Sequence, residues 1–299
     1  MMDKTDNFYL TLLSDSSMSN HPENVTSSFV VDLPKTINLS GEWEAAMTSL
    51  HYPKTIQNIS PNNNSIVVIF ERTSKTDGGH LGHFIRAASI PEGLYETIDS
   101  VLKALNNAVD AIVGDDELGP LFYIDKEEDM IQVKPENLEL FKVRFTPFIN
   151  RRKELFPKED IKLKKIYLEP RLAIMLGYDP LNHNIVNTGA SVHKYNVNAG
   201  FPQNLFVYSD LIDGVIIGHR YASVMKIVPA IEHNATFGES VLRTFPSREY
   251  LPLAKRMFNT VSINILDNVG DRIPFACGQL IVTVHLRRKK SRNYQQNEF

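Results

Sequence analysis

Cysteine is almost missing from this chain of 299 residues: Cys277 stands alone. No disulfide within the chain can staple it, so stability must come from packing or from assembly. One thiol fits a reducing compartment better than an oxidising one. Long apolar runs are missing too. None approaches the roughly 20 residues a membrane-spanning helix needs. The first residues, Met1-Met2-Asp3-Lys4-Thr5-Asp6, have no apolar segment of the secretory kind and no glycine for myristoylation. Asn24, Asn38, Asn58, Asn63 and Asn234 each open an N-x-Ser/Thr triplet; without a secretory signal they are expected to stay unmodified. Neither sign of charge prevails, with 32 Lys and Arg against 35 Asp and Glu and a net charge of −3. That balance, with a pI near 6.3, excludes a protein that coats nucleic acid with its whole surface. No repeat of fixed period is present.

The chemistry of catalysis is missing as well. No G-x-S-x-G elbow, G-x-x-x-x-G-K loop or G-x-G-x-x-G fingerprint occurs, so the sequence implies no enzyme and no cofactor. His80-Leu81-Gly82-His83 offers two imidazoles, but no third ligand stands out nearby and Gly78-Gly79 marks a turn tip, so no metal site is expected. The acidic stretches at 115–117 and 125–129 lack the glycine and closing glutamate of a calcium loop and read as solvated turns. Cys277 has no evident partner base, and a packed structural thiol is the expectation.

What is there is β pattern in an ordinary composition, 42% hydrophobic and 22% charged, enough to bury a sizeable core. Near the C-terminus, Val261, Ile263 and Ile265 alternate with polar neighbours, as do Leu280, Val282, Val284 and Leu286; this is the period of strands with one face in a core. Between them Asp267-Asn268-Val269-Gly270-Asp271 is turn chemistry. Earlier strands are expected at residues 7–14, at 28–33 up to Pro34, and at 42–52, then at 65–71. Residues 73–80 read as a turn. Leu94, Ile98, Val101, Leu102, Leu105, Val109 and Ile112 form the stripe of an amphipathic helix, with Thr97 as N-cap and Gly114 as stop. A hairpin is expected from 121–125 and 130–134, then a strand at 140–145. Residues 151–165 read as a charged, exposed stretch. Residues 170–176 form a short helix opened by Pro170 and closed by Gly177. Residues 179–203 form a long polar stretch, strands return at 204–211, 215–218 and 222–228, and 231–250 is a second long loop.

Three strands before residue 58 and five after residue 203 make eight, the arithmetic of a jelly roll. The expected fold is therefore mainly β: an eight-stranded antiparallel jelly roll with an inserted, β-rich α+β domain. The jelly roll would comprise residues 1–57 and 203–290, the insertion 60–200, and 291–299 a disordered basic and polar tail.

Several long segments carry a resemblance: residues 8–55 (FYLTLLSDSSMSNHPENVTSSFVVDLPKTINLSGEWEAAMTSLHYPKT), 93–106 (GLYETIDSVLKALN), 167–180 (YLEPRLAIMLGYDP), 204–230 (NLFVYSDLIDGVIIGHRYASVMKIVPA) and 250–290 (YLPLAKRMFNTVSINILDNVGDRIPFACGQLIVTVHLRRKK). In order and spacing they resemble the minor capsid (penton) proteins of Polinton/Maverick elements, adintoviruses and virophages. At the start of the short helix Glu169 stands where that family tends to show a small capping residue. The resemblance implies a structural protein of an icosahedral double-stranded DNA virus, made in the host cell and located in the virion. Five copies would close each vertex as a homopentamer among hexons of a double jelly-roll major capsid protein, with the insertion on the outer side, where a host receptor could bind. No catalytic residues carry over. A fivefold plug needs a cyclic, head-to-tail interface, and the loops at 179–203 and 231–250 are natural contacts with neighbours. Trp43, Phe206, Tyr208, Tyr250 and Phe258 are candidates for that interface, and core burial accounts for each equally well. The basic run Arg287, Arg288, Lys289, Lys290 and Arg292 is either a solvated terminus or a contact with packaged DNA or a hexon. The alternative reading is a receptor- or glycan-binding β-sandwich, such as a spike module.

Overall fold

The structure is a computed structural model that describes residues 6–113, 122–125, 130–132, 154–155, 157–181, 185, 191–230 and 236–289. Three strands come first: β1 (Asn7–Leu13), β2 (Ser28–Asn38) and β3 (Trp43–Pro53). Then follow β4 (Ser65–Ser74), β5 (His80–Ser89), helix α1 (Ile98–Val113), β6 (Tyr123–Asp125), β7 (Met130–Gln132), β8 (Glu159–Leu168), helix α2 (Pro170–Met175) and a 3-10 turn at Val197–Gly200. The chain continues with β9 (Asn204–Ser209), β10 (Val215–Ile217), β11 (Arg220–Ala222), β12 (Val224–Pro229), β13 (Ser240–Thr244), β14 (Leu251–Pro252), β15 (Met257–Leu266) and β16 (Ile281–Arg288). Two compact units result, Met1–Ile56 with Pro202–Phe299, and Gln57–Phe201.

In the first unit one sheet runs β1-β16-β3-β13, with β14 also on β3, and the other runs β12-β9-β15-β2. Setting aside the two-residue β14 and the separate β10–β11 hairpin, the eight remaining strands number 1-8-3-6 in one sheet and 5-4-7-2 in the other. Every pairing in them is antiparallel. That order is two interleaved Greek keys, the jelly roll, and the second unit is inserted between its third and fourth strands. Alternate residues supply the core: Val261, Ile263 and Ile265 from β15, Val282, Val284 and Leu286 from β16, Leu205 and Val207 from β9, Phe29 and Val31 from β2. Burying each aliphatic side chain stabilises by about 1.5–3 kcal/mol. After β15 the buried Asp267 carboxylate accepts the N–H groups of Val269 and Asp271, both at 2.9 Å, and Gly270 takes φ +95°, a conformation open to glycine.

Eight strands were expected, but not all of the same ones. Residues 215–218 supply only β10, half of a small hairpin with β11. The eighth strand is β13, inside the segment expected to be a loop; residues 231–235 of that segment lie outside the described residues. β2 does not stop at Pro34. Its ladder with β15 breaks between the pairs Asp32↔Thr260 and Ile37↔Phe258. Pro34 sits in that break on an edge strand, where a missing N–H costs nothing.

A bulge explains the mixed face of β3. Thr283 pairs Ser49 and the next residue, Val284, pairs Met47, which leaves Thr48 extra. On one side of it Ala45 and Met47 are buried, on the other Leu50 and Tyr52. An extra residue reverses the parity of a strand. The Thr48 hydroxyl donates to the Thr283 carbonyl at 3.1 Å, and Phe245 N–H donates to the Thr48 carbonyl at 2.8 Å.

The second unit is built on the antiparallel sheet β5-β4-β8, with α1 lying against β4 and β5. Ile98, Val101, Leu102, Leu105 and Val109 of α1 join Ile66, Val68 and Phe70 of β4 in one core. Thr97 caps the helix as expected, its hydroxyl accepting Ser100 N–H at 3.3 Å. Asn106 interrupts the apolar stripe for a reason: its side-chain amide donates to the Phe122 carbonyl at 3.0 Å and accepts Phe122 N–H at 2.9 Å. The hairpin β6–β7 is present. At α2 the Glu169 side chain makes no cap; Gly177, at φ +79°, closes it. Two strands differ from expectation. β5 falls where none was expected, and β8 occupies much of the stretch read as charged and exposed. Lys164 is extra between the pairs Lys165↔Ile69 and Leu163↔Phe70, so the buried Ile161 and the buried Ile166 and Leu168 fall on opposite parities. The strand expected at 140–145 and the stop expected at Gly114 lie outside the described residues.

Candidate interaction surface

With Val284 and Leu286 in the core, His285 and Arg287 of β16 take the opposite face of the sheet. His285 stands directly across from Tyr9 of β1 and Ala46 of β3; Arg287 stands across from Asn7 and Glu44. Tyr250, just before β14, and Arg248 complete a cluster. Tyr9 and Tyr250 lie with ring centroids 4.5 and 5.8 Å from the imidazole, and only 6% of His285 is exposed. Its Nδ1 is 2.8 Å from the Tyr250 hydroxyl and its Nε2 is 3.4 Å from Asn7 Oδ1. An amide oxygen only accepts, which assigns the proton to Nε2 and leaves Nδ1 to accept from Tyr250. Burial foremost, then the charges of Arg248 and Arg287, hold the imidazole below its ordinary pKa, so it is neutral. The Arg287 guanidinium lies 3.3 Å from the Tyr250 ring centroid and donates to Glu44 Oε1 at 2.6 Å. Arg248 donates to the Tyr9 hydroxyl at 3.1 Å and has no carboxylate partner among the described residues. The result is a platform of two tyrosines and two guanidiniums with one carboxylate, suited to docking a protein surface that carries acid.

Of the aromatic residues singled out from sequence, Tyr250 alone belongs to this platform. Phe206 and Tyr208 are half-buried on β9, on the side away from Leu205 and Val207. There Phe206 pairs with Ile227 and Leu266 to make an apolar row across three strands. Trp43 opens β3 half-buried, its indole donating to the Ser40 carbonyl at 3.0 Å and its ring 5.7 Å from Phe8. Phe258 is buried within the chain. Tyr9 and Arg248 were not singled out, because their meeting depends on β1 pairing with β16 across nearly the whole chain.

The basic run is answered by acid. Arg287 pairs with Glu44, and Lys289 reaches Glu42 at 3.3 Å. Arg288 lies beside Gly41. Lys290 and Arg292 lie outside the described residues. Cys277, expected to be packed, is exposed, because residues 276–279 run over the surface before Leu280 enters the core. Asn24, Asn58 and Asn63 are buried and hydrogen-bonded through their side chains.

In the second unit, Glu71 of β4 pairs directly with His83 of β5. Glu71 Oε1 is 3.4 Å from His80 Nδ1, 3.9 Å from His83 Nε2 and 2.7 Å from Lys164 Nζ. The Lys164 ammonium, the largest influence, holds the Glu71 carboxyl below its usual range. Glu71 is a third group of metal-ligating type beside the two histidines, hidden in the sequence because β5 was not read as a strand.

No protein-family model and no curated protein sequence matches the chain. The chain is similar to a number of solved structures, among them two that match over nearly its whole length. One is the crystal structure of the mavirus penton protein, at 12% identity, covering 95% of this chain and 99% of that one, with a TM-score of 0.45. The other is a chain of the Sputnik virophage cryo-EM structure, at 13% identity, covering 96% and 99%, with a TM-score of 0.42.

Proposed function

We propose that the chain is a structural capsid protein whose jelly-roll unit assembles as a homopentamer at the fivefold vertices of an icosahedral double-stranded DNA virus. The observation that carries the reading is the strand order. A 1-8-3-6 and 5-4-7-2 jelly roll is interrupted once, between its third and fourth strands, and the segments that resemble pentons of Polinton/Maverick elements, adintoviruses and virophages fall on seven of those strands, all but β13, and on α1 and α2. The jelly roll is the shell-forming unit; the insertion is the unit to which a host receptor would bind. The platform around Tyr9, Arg248, Tyr250 and Arg287 is the side offered to a neighbouring copy or hexon. A cyclic assembly joins two different patches of each copy, and Arg248, without an acid in its own chain's described residues, takes one from the neighbour. Electron microscopy of the purified, concentrated protein tests this. Class averages with fivefold rings are expected, and fewer rings in Arg248→Glu. Single particles at every concentration, with and without a hexon partner, would overturn the proposal.

A further inference from the structure

We propose that Glu71, His80 and His83 form a binding site for a borderline divalent cation of the zinc class. Two irregularities of the sheet assemble it. Arg72 pairs Gly82 and Thr73 pairs His80, so Leu81 is an extra residue in β5. In a regular strand His80 and His83 would point to opposite faces; the bulge turns His80 to the face of His83 and Glu71. Gly82 at φ +112° supplies the backbone angle. On the other side of β4, the extra Lys164 of β8 brings its ammonium to the same carboxylate. The candidate ligand atoms lie within 4.8 Å of one another, and the imidazole rings lie 4.8 Å apart. A tetrahedral ion with bonds of about 2.0–2.2 Å wants ligand atoms about 3.4 Å apart, so one pair already fits and the others close by small side-chain rotations. All three side chains reach solvent, which gives an ion a path in and leaves its fourth position to water.

The chemistry selects the ion. Imidazole with one carboxylate suits zinc, nickel and copper; calcium and magnesium prefer oxygen ligands throughout. Lys164 is the built-in competitor. Its single charge lies 2.7 Å from Glu71 and 3.1 Å from His83 Nε2, near where the ion would sit. A divalent ion must displace it, and a lysine side chain on the sheet surface swings out readily. The bound ion would sit beside the turn that joins β4 to β5 and clamp that end of the hairpin.

The test is a titration of the full-length protein with Zn²⁺ against a chromogenic chelator, repeated with Co²⁺ to read the ligand field by absorption. One ion per chain is expected. His80→Ala, His83→Ala and Glu71→Gln should each weaken uptake by at least about tenfold, the scale lost even when outer partners of a metal site are removed. Lys164→Ala should tighten it, and excess Mg²⁺ should leave it unchanged. Far-UV circular dichroism without metal checks that each variant folds. No uptake, or uptake indifferent to the two histidine variants, overturns the proposal.

Discussion

Deleting Thr48 should damage the jelly roll far more than its side chain accounts for. The bulge residue reconciles two halves of β3: Ala45 and Met47 face the core on one side, Leu50 and Tyr52 on the other. Without it the ladder with β16 closes in regular alternation, and one half must turn its side chains to solvent. If the Leu50 half turns, a leucine and a tyrosine leave the core. At about 1.5–3 kcal/mol for a large apolar side chain, that is about 3–6 kcal/mol, a large part of a domain's total stability. Thr48→Ala is the control. It keeps the bulge and removes only the hydroxyl bond to Thr283, which costs about 0.5–1.5 kcal/mol. Urea unfolding followed by fluorescence of Trp43, the sole tryptophan, reads this unit directly, because Trp43 opens the same strand. A deletion no more costly than the alanine control would refute the bulge account.

Gly177→Ala should lower the thermal midpoint of the second unit by the equivalent of about 1–3 kcal/mol, the scale of a residue held in an unfavourable backbone region; at φ +79° its new Cβ would also meet the His193 carbonyl. At His285 the sign follows from its depressed pKa. The unfolded chain takes up this proton near 6.5 and the folded one only at lower pH. The contribution of the neutral imidazole is therefore complete above pH 6.5 and is lost as pH falls below it. The fall in urea midpoint between pH 7 and pH 5 should shrink in His285→Gln, and an unchanged fall would contradict the assignment.

The elements most legible in the sequence were those with unbroken periodicity. β15 and β16 alternate cleanly because one face is buried throughout, and α1 shows its stripe with one polar interruption, Asn106, that serves the fold. What escaped had no such pattern. β13 is an edge strand burying only Val241, and β5 is an edge strand mostly exposed on both faces. β8 loses its alternation at the extra Lys164, amid lysines that resemble a solvated run. The interaction platform was half legible for a related reason. Tyr250 and Arg287 stand out as residue types, but their meeting with Tyr9 and Glu44 is made by pairings between strands more than 200 residues apart. Glu71 could join the two histidines only once β5 was known to pair with β4.

A pentamer is read most plainly from the solution mass by light scattering across a concentration series, alone and with a candidate hexon partner. A species of about five times 33.9 kDa is expected, and less of it in Arg248→Glu. A strict monomer under both conditions would contradict it and favour a stand-alone binding module.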